Sequence, residues 1–214
     1  MSDSESLSQQ QNGGLIVVLS APSGAGKTSV LKEVLNLHPE FAFSTSITTR
    51  EPRKNECDGV DYQFISEDEF VERIDRGEFI EWAVVHGHRY GTLKCSVSDA
   101  QQRGQTIILD TDTVGASNIK KLFPEAILIF IIPPSLDILT ERLKLRNTES
   151  PKRFSKRLSA VPQEIKQMKM FDYIVLNDTL EVAVSQVMTI IGAENLKSNK
   201  MIPKLSEWRN YLDN

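Results

Sequence analysis

Two kinds of run alternate along this chain. Short, almost unbroken apolar stretches at Leu15–Leu19, Thr106–Leu109 and Ala126–Ile132 read as strands covered on both faces. Shorter strand patterns fall at Phe41–Ser46 and Phe171–Leu176. Between them lie stretches with helical spacing: Val30–Leu35, Ser96–Arg103, Val114–Leu122, Leu136–Leu145 and Leu180–Ile191. His38-Pro39, Gly104 and Pro133-Pro134 punctuate them. This alternation predicts an α/β fold, a doubly wound parallel sheet with helices on both faces.

The pattern changes between about Ser46 and Val97. Asp58–Phe64 reads as a turn and an alternating strand, Glu78–Val85 as a strand, and His86–Thr92 as the next turn. Ser66 and Glu69 have capping-box spacing before a helix that buries Phe70 and Ile74 and ends at Gly77. The segments expected are therefore a core of 15–45, 98–140 and 161–191, an inserted lobe 46–97 and a lid 141–160. Residues 1–14 are polar and Ser/Gln-rich, and read as a disordered leader. Residues 192–214 form a polar extension with apolar points at Ile202, Leu205, Trp208 and Leu212.

Ser20-Ala21-Pro22-Ser23-Gly24-Ala25-Gly26-Lys27-Thr28-Ser29 joins the first strand to the first helix. Strand, glycine-bearing loop, Lys-Thr and helix in this order make a P-loop. Gly24 and Gly26 let backbone N–H groups turn inward on a phosphate, and the positive end of the helix adds its field. Lys27 would reach the β/γ-phosphates, and the Thr28 hydroxyl would ligate Mg²⁺. Ala21 stands where the general motif has Gly; its methyl is tolerable at negative φ. Asp110 ends the second buried strand, at the end of a parallel sheet where ligands sit. It is placed to orient a water on Mg²⁺ near Thr28; the competing reading is a cap for the helix that follows.

Composition narrows the class. The 214 residues are 40% hydrophobic, enough for one domain with small inserted lobes. A net charge of −4 gives no global basic field for nucleic acid. An anionic ligand would need a local cationic cluster, and there are two. Three cations and two threonines lie between Thr48 and Lys54, broken by Pro52; such a loop can hold two guanidinium groups on one phosphate, although alone it reads equally as a solvated turn. Arg142, Arg146, Lys152, Arg153, Lys156 and Arg157 fall within sixteen residues. A cationic segment between helices suits a lid over phosphates. His86 and His88 have no third ligand in spacing, and Cys57 and Cys95 suggest neither a disulfide framework nor zinc. Two free cysteines fit a reducing compartment, and no apolar run nears the roughly 20 residues of a spanning helix.

From Leu15 to Ile191 the chain resembles the guanylate kinases. The ordered pieces are Ser20–Lys27, Ser46-x-Thr48-Thr49-Arg50-x-Pro52-Arg53, Gly59-x-Asp61-Tyr62-x-Phe64 and Glu78–Trp82. Tyr90-Gly91-Thr92, Leu109-Asp110-x-Asp112, Pro133-Pro134-Ser135, Lys156-Arg157-Leu158 and Asn177-Asp178 follow. The resemblance implies an ATP:GMP phosphotransferase of purine nucleotide metabolism and GMP recycling, dependent on Mg²⁺, cytoplasmic, and a monomer or homodimer without nucleic-acid or membrane partners. It implies that Ala21 to Ser29, with Asn177 near the adenine, bind ATP. Arg50 and Arg53 would grip the GMP phosphate, with hydroxyls from Tyr62 and Tyr90. Ser46, Glu81, Thr92 and Asp112 would read guanine. Arg142, Arg146 and Arg157 would bridge the two phosphate chains. Guanine offers two donors, N1–H and the N2 amine, and a carboxylate accepts both; adenine offers an acceptor at N1 and no 2-amine. Nothing in the chain identifies a ribose 2′-OH reader, so dGMP stands open as an acceptor. Val114 replaces the family's usual Gln, and Leu145-Arg146-Asn147 its usual Gly-Arg-Gly.

Two other readings compete. Guanylate-kinase-like scaffold domains bind peptides without catalysis, but they typically lose P-loop residues that are present here. A P-loop kinase for another small acceptor is the third reading, and Glu81 with Asp112 argues instead for guanine.

Overall fold

The structure is a computed structural model and describes residues 14–53, 56–85, 87–145 and 151–208. The leader up to residue 13, His86 and Arg146 lie outside the described residues. Five parallel strands form the main sheet in the order β2-β7-β1-β8-β9: β1 (Ile16–Ser20), β2 (Ala42–Ser44), β7 (Ile107–Asp110), β8 (Ile127–Ile132) and β9 (Tyr173–Leu176). Val18 pairs with Leu109 on one side and Leu128 on the other.

Both faces of this sheet are covered, which is why its central strands are apolar throughout. Val17 and Leu19 turn toward α1 (Lys27–Leu37) and α7 (Leu180–Asn195), packing with Val30, Val34, Val184 and Val187. Ile16 and Val18 turn the other way, toward α3 (Lys94–Gln102) and α4 (Thr113–Leu122), packing with Val97, Ala100, Ala116 and Ile119. Burying each such Val, Ile or Leu contributes about 2 kcal/mol.

A second sheet, order β4-β3-β6-β5, holds β3 (Ile47–Thr48), β4 (Gln63–Phe64), β5 (Phe79–Val85) and β6 (His88–Leu93). The helix α2 (Glu67–Asp75) starts at Ser66, whose hydroxyl accepts from the Glu69 N–H, and buries Phe70 against Phe79, ring centroids 4.5 Å apart. Two expectations change here. His88–Thr92 is strand rather than turn; among the described residues of that stretch Gly87 alone turns, at φ 92°. The alternating strand before Phe64 shortens to Gln63–Phe64, paired in parallel with β3.

After α5 (Leu136–Leu145), Lys152, Arg153, Lys156 and Arg157, expected between helices, are themselves helical: α6 runs Pro151–Gln167 through Pro162. Val161, with Phe154 and Ile165, gives it an apolar stripe that packs on Leu139 and Leu143. The extension adds a short helix, α8 (Ser198–Met201), and two 3-10 turns ending at Trp208. Leu196, Ile202, Leu205 and Trp208 are exposed.

The loop from β1 to α1 permits no side chain at its glycines. Gly24 and Gly26 have φ of 90° and 92°. A Cβ on Gly24 would meet the Leu143 side chain at 2.7 Å, and one on Gly26 the Asn177 amide nitrogen at 2.3 Å. Leu143 can yield at its tip. Asn177 cannot, because its Nδ2 donates to the Ala25 carbonyl at 2.7 Å. Urea unfolding should therefore rank the two alanine variants: Gly26→Ala loses about 3 kcal/mol and Gly24→Ala about 2 kcal/mol.

Candidate active site

One cleft of about 180 Å³ joins the phosphate loop to the second sheet. Ala21 to Gly24, Gly26, Lys27 and Thr28 form one wall; Ser46, Arg53, Tyr62, Glu81 and Tyr90 form another. Asp110, Asp112 and Arg157 close it. Arg50, Thr92, Arg142, Asn177, Ala25 and Ser29 are not among the residues that line it.

The loop's own ties explain its position. Lys27 pairs with Asp110 through Nζ, which also donates to the Thr111 carbonyl at 2.9 Å. Asn177 sits 5% exposed beneath the loop. Its carbonyl accepts from Arg142 Nη1 at 3.1 Å, and Arg142 Nη2 reaches the Asp178 carbonyl at 3.3 Å. Arg142 and Asn177 thus buttress the loop from behind. The half-buried Ala21 packs against both the main core and the Leu139–Leu143 cluster, so the methyl in place of Gly is used in packing. Asp110 does not cap α4. Asp112 does, accepting from the Gly115 N–H at 2.8 Å.

The acceptor side is built on buried polar groups. Arg50 is 9% exposed and makes a two-pronged pair with Glu56, at 2.6 and 2.8 Å. Its guanidinium lies 4.7 Å from the centre of the Tyr62 ring. The Arg53 N–H donates to the same carboxylate at 2.8 Å, so Glu56 gathers both arginines. Burial chiefly pushes the Tyr62 hydroxyl above its ordinary value, which keeps it a donor. The Ser46 hydroxyl donates to the Asp110 carbonyl at 3.1 Å, tying the second sheet to the end of β7.

Glu81 is 7% exposed on β5 and accepts from the Thr92 hydroxyl at 2.8 Å. Burial raises its pKa to about 7; the Thr92 hydrogen bond pulls it down, and the Asp112 charge adds to the rise. Its other oxygen is 2.9 Å from where a Cβ on Gly115 would stand, so the first turn of α4 leaves the carboxylate only just enough room. The site can therefore offer a desolvated acceptor to a ligand that carries paired donors.

The family model for guanylate kinases matches residues 14–194. The chain belongs to the guanylate kinase family. It is 44% identical to a guanylate kinase of Carboxydothermus hydrogenoformans over 188 residues, 88% of this chain and 92% of that one. It is 43% identical to the Thermotoga maritima guanylate kinase over 196 residues, 92% of this chain and 95% of that one. The crystal structure of a guanylate kinase from Anaplasma phagocytophilum superposes with a TM-score of 0.73 at 31% identity, covering 88% of this chain and 90% of that chain.

The resemblance to guanylate kinases drawn from motifs did not include Glu56, Gly115 or Glu164. Glu56 had one signal, a lone acid three residues beyond Arg53. Gly115 directly follows Val114, the departure from the guanylate kinase pattern, and Val114 is exposed at 47%. Among the described residues no helix is long and apolar enough to cross a membrane.

Two predictions follow the charges. Glu56→Ala strands the Arg50 guanidinium in a buried position, and urea unfolding should show a loss of about 3 kcal/mol. A ligand with paired donors would need Glu81 ionised, and its ionisation falls as pH drops below about 7. KM for GMP should then rise toward about tenfold per unit of acidification, with KM for ATP following its own profile. Replacing Glu81 by Gln should flatten that limb.

Proposed function

We propose that this chain transfers the γ-phosphoryl group of ATP to GMP, giving ADP and GDP. The observation that carries the reading is Glu81: a desolvated carboxylate on the wall opposite the phosphate loop, with Thr92 on one oxygen. Guanine satisfies such a group with N1–H and the 2-amine. Adenine would turn a lone pair toward it, and a site built on buried hydrogen bonds rejects such a mismatch by something like 10⁴-fold.

The remaining roles are assigned on the same basis. Ser46, Thr92 and Asp112 complete the base site around Glu81. Arg53, Tyr62 and Tyr90 contact the GMP phosphate, and Arg50 supports them from beneath. Residues 21–29 hold the ATP phosphates, with Lys27 leaving Asp110 for the β/γ-oxygens and Asn177 near the adenine. Arg142, Arg146 and Arg157 neutralise the charge that spreads over the transferring group; loss of one should cost about 10³-fold in kcat. The segments that move are a GMP-binding lobe of 46–97 and a lid of 141–160, on a core of 15–45, 98–140 and 161–191.

No group of three His, Cys, Asp or Glu side chains is clustered for a metal among the described residues. A hydroxyl and one carboxylate suit an ion that keeps its waters and takes other oxygens from phosphates. Thr28, and Asp110 through water, would hold a Mg²⁺ ion, which would supply charge neutralisation to the phosphates. A cytoplasmic location and a monomeric or homodimeric state belong to the same proposed reading.

Steady-state kinetics of Glu81→Gln tests the reading. KM for GMP should rise roughly 100-fold while KM for ATP stays near wild type. Equal damage to both substrates would remove Glu81 from the base site.

A further inference from the structure

Glu81 and Asp112 both line the cleft, and both meet the same residue, Gly115. The Gly115 backbone N–H donates to Asp112 Oδ1 at 2.8 Å, the side-chain bond that caps α4. Helix α4 also lies against β5, which carries Glu81. A Cβ on Gly115 would stand 2.9 Å from Glu81 Oε2 and 3.2 Å from its carboxyl carbon. It would stand 2.0 Å from the Thr111 hydroxyl oxygen. The other carboxylate oxygen of Glu81, Oε1, accepts from the Thr92 hydroxyl at 2.8 Å. The carboxylate is thus fixed at one oxygen by a hydrogen bond and bounded at the other by bare backbone.

The backbone itself does not call for glycine here. Gly115 is buried in the first turn of α4 and is not among the glycines at positive φ. Glycine is among the weakest formers of a helix, and alanine in its place would favour α4. A residue that runs against its own element points to a need elsewhere, and such conflicts collect at functional sites. The space around Gly115 shows the need. Ordinary contact with a Cβ begins near 3.4 Å, so Glu81 Oε2 would have to retreat by about 0.5 Å, the margin within which a binding group keeps its geometry. Glu81 can retreat, because its carboxylate is the far end of a flexible side chain. The Thr111 hydroxyl can turn as well, because Thr111 holds Lys27 through its backbone carbonyl. The fold therefore tolerates a Cβ at this position better than the site does.

We propose that Gly115 sets specificity for the base: its N–H fixes Asp112, and its missing side chain lets Glu81 seat its second oxygen where paired donors can meet it. Gly115 is a positioning residue, because it acts through the two acids. The inference rests on the ATP:GMP reading and deepens it.

Gly115→Ala keeps the N–H and adds only the Cβ, so it isolates the contact with Glu81. In steady-state kinetics the variant should show KM for GMP raised about 30-fold, the equivalent of one charge-assisted hydrogen bond, and KM for ATP within about twofold of wild type. The deciding comparison repeats Gly115→Ala in a Glu81→Ala background. No carboxylate is left there to displace, and kcat/KM for GMP should change by less than about twofold. The same loss in both backgrounds would overturn the proposal, because a structural role for Gly115 does not depend on Glu81. An unchanged KM for GMP in the single variant would overturn it too. Should Gly115→Ala fail to fold, both comparisons are made in a Thr111→Ala background, which removes the nearest obstacle. The same non-additivity is expected, and equal losses count against the proposal equally. A wild-type protein without turnover on GMP, or a Glu81→Ala variant with wild-type KM for GMP, would instead sink the ATP:GMP reading of this site, and the inference with it.

Discussion

A loop that binds phosphate through its backbone must keep N–H groups free and side chains away. Between β1 and α1 both demands are met by Gly24 and Gly26 in the left-handed region. That choice gives the loop little rigidity of its own, so the neighbours supply it. Asn177 bonds the Ala25 carbonyl, Arg142 bonds the Asn177 and Asp178 carbonyls, and Leu143 presses on Gly24. Helix α5 and the turn after strand β9 therefore brace the loop, although Arg142 and Asn177 do not line the cleft. The parallel sheet brings these pieces to one edge, because β1, β7, β8 and β9 all end there.

The second recurring theme is charge held without water. Arg50 and Glu56 are paired in both prongs, and the Tyr62 ring lies over the guanidinium. Lys27 rests on Asp110. Lys27, Arg50 and Arg53 each have a carboxylate partner, which limits the unpaired positive charge in the site. Glu81 is the exception: one hydroxyl partner, a repelling neighbour in Asp112, and a pKa near 7. A group so placed gains most from a ligand with two donors. In the proposed reading, the wall that carries Glu81 for the base also carries Arg53, Tyr62 and Tyr90 for the GMP phosphate, and the phosphate loop opposite holds ATP.

How much of this was legible depended on the kind of burial. Strands β1, β7 and β8 are buried on both faces, so their apolar runs announced them. Strand β6 was read as a turn because His88, Arg89, Tyr90 and Thr92 are polar or half-polar; their strand character comes from pairing with β5 and β3, which is not local. Asp110 and Asp112 are two residues apart, and only the start of α4 at Thr113 decides that Asp112 is the cap. The phosphate loop and the two arginine clusters showed as local motifs. Glu56 did not, because its significance lies in what it touches across a fold.

The measurement that bears most directly on the account is ADP formation from ATP and Mg²⁺, with GMP, AMP, UMP and CMP offered in parallel. Turnover on GMP, with the other three at least about 10³-fold slower, is the predicted result. Comparable turnover on AMP or a pyrimidine nucleotide would contradict it, because Glu81 and its neighbours would then not be reading guanine.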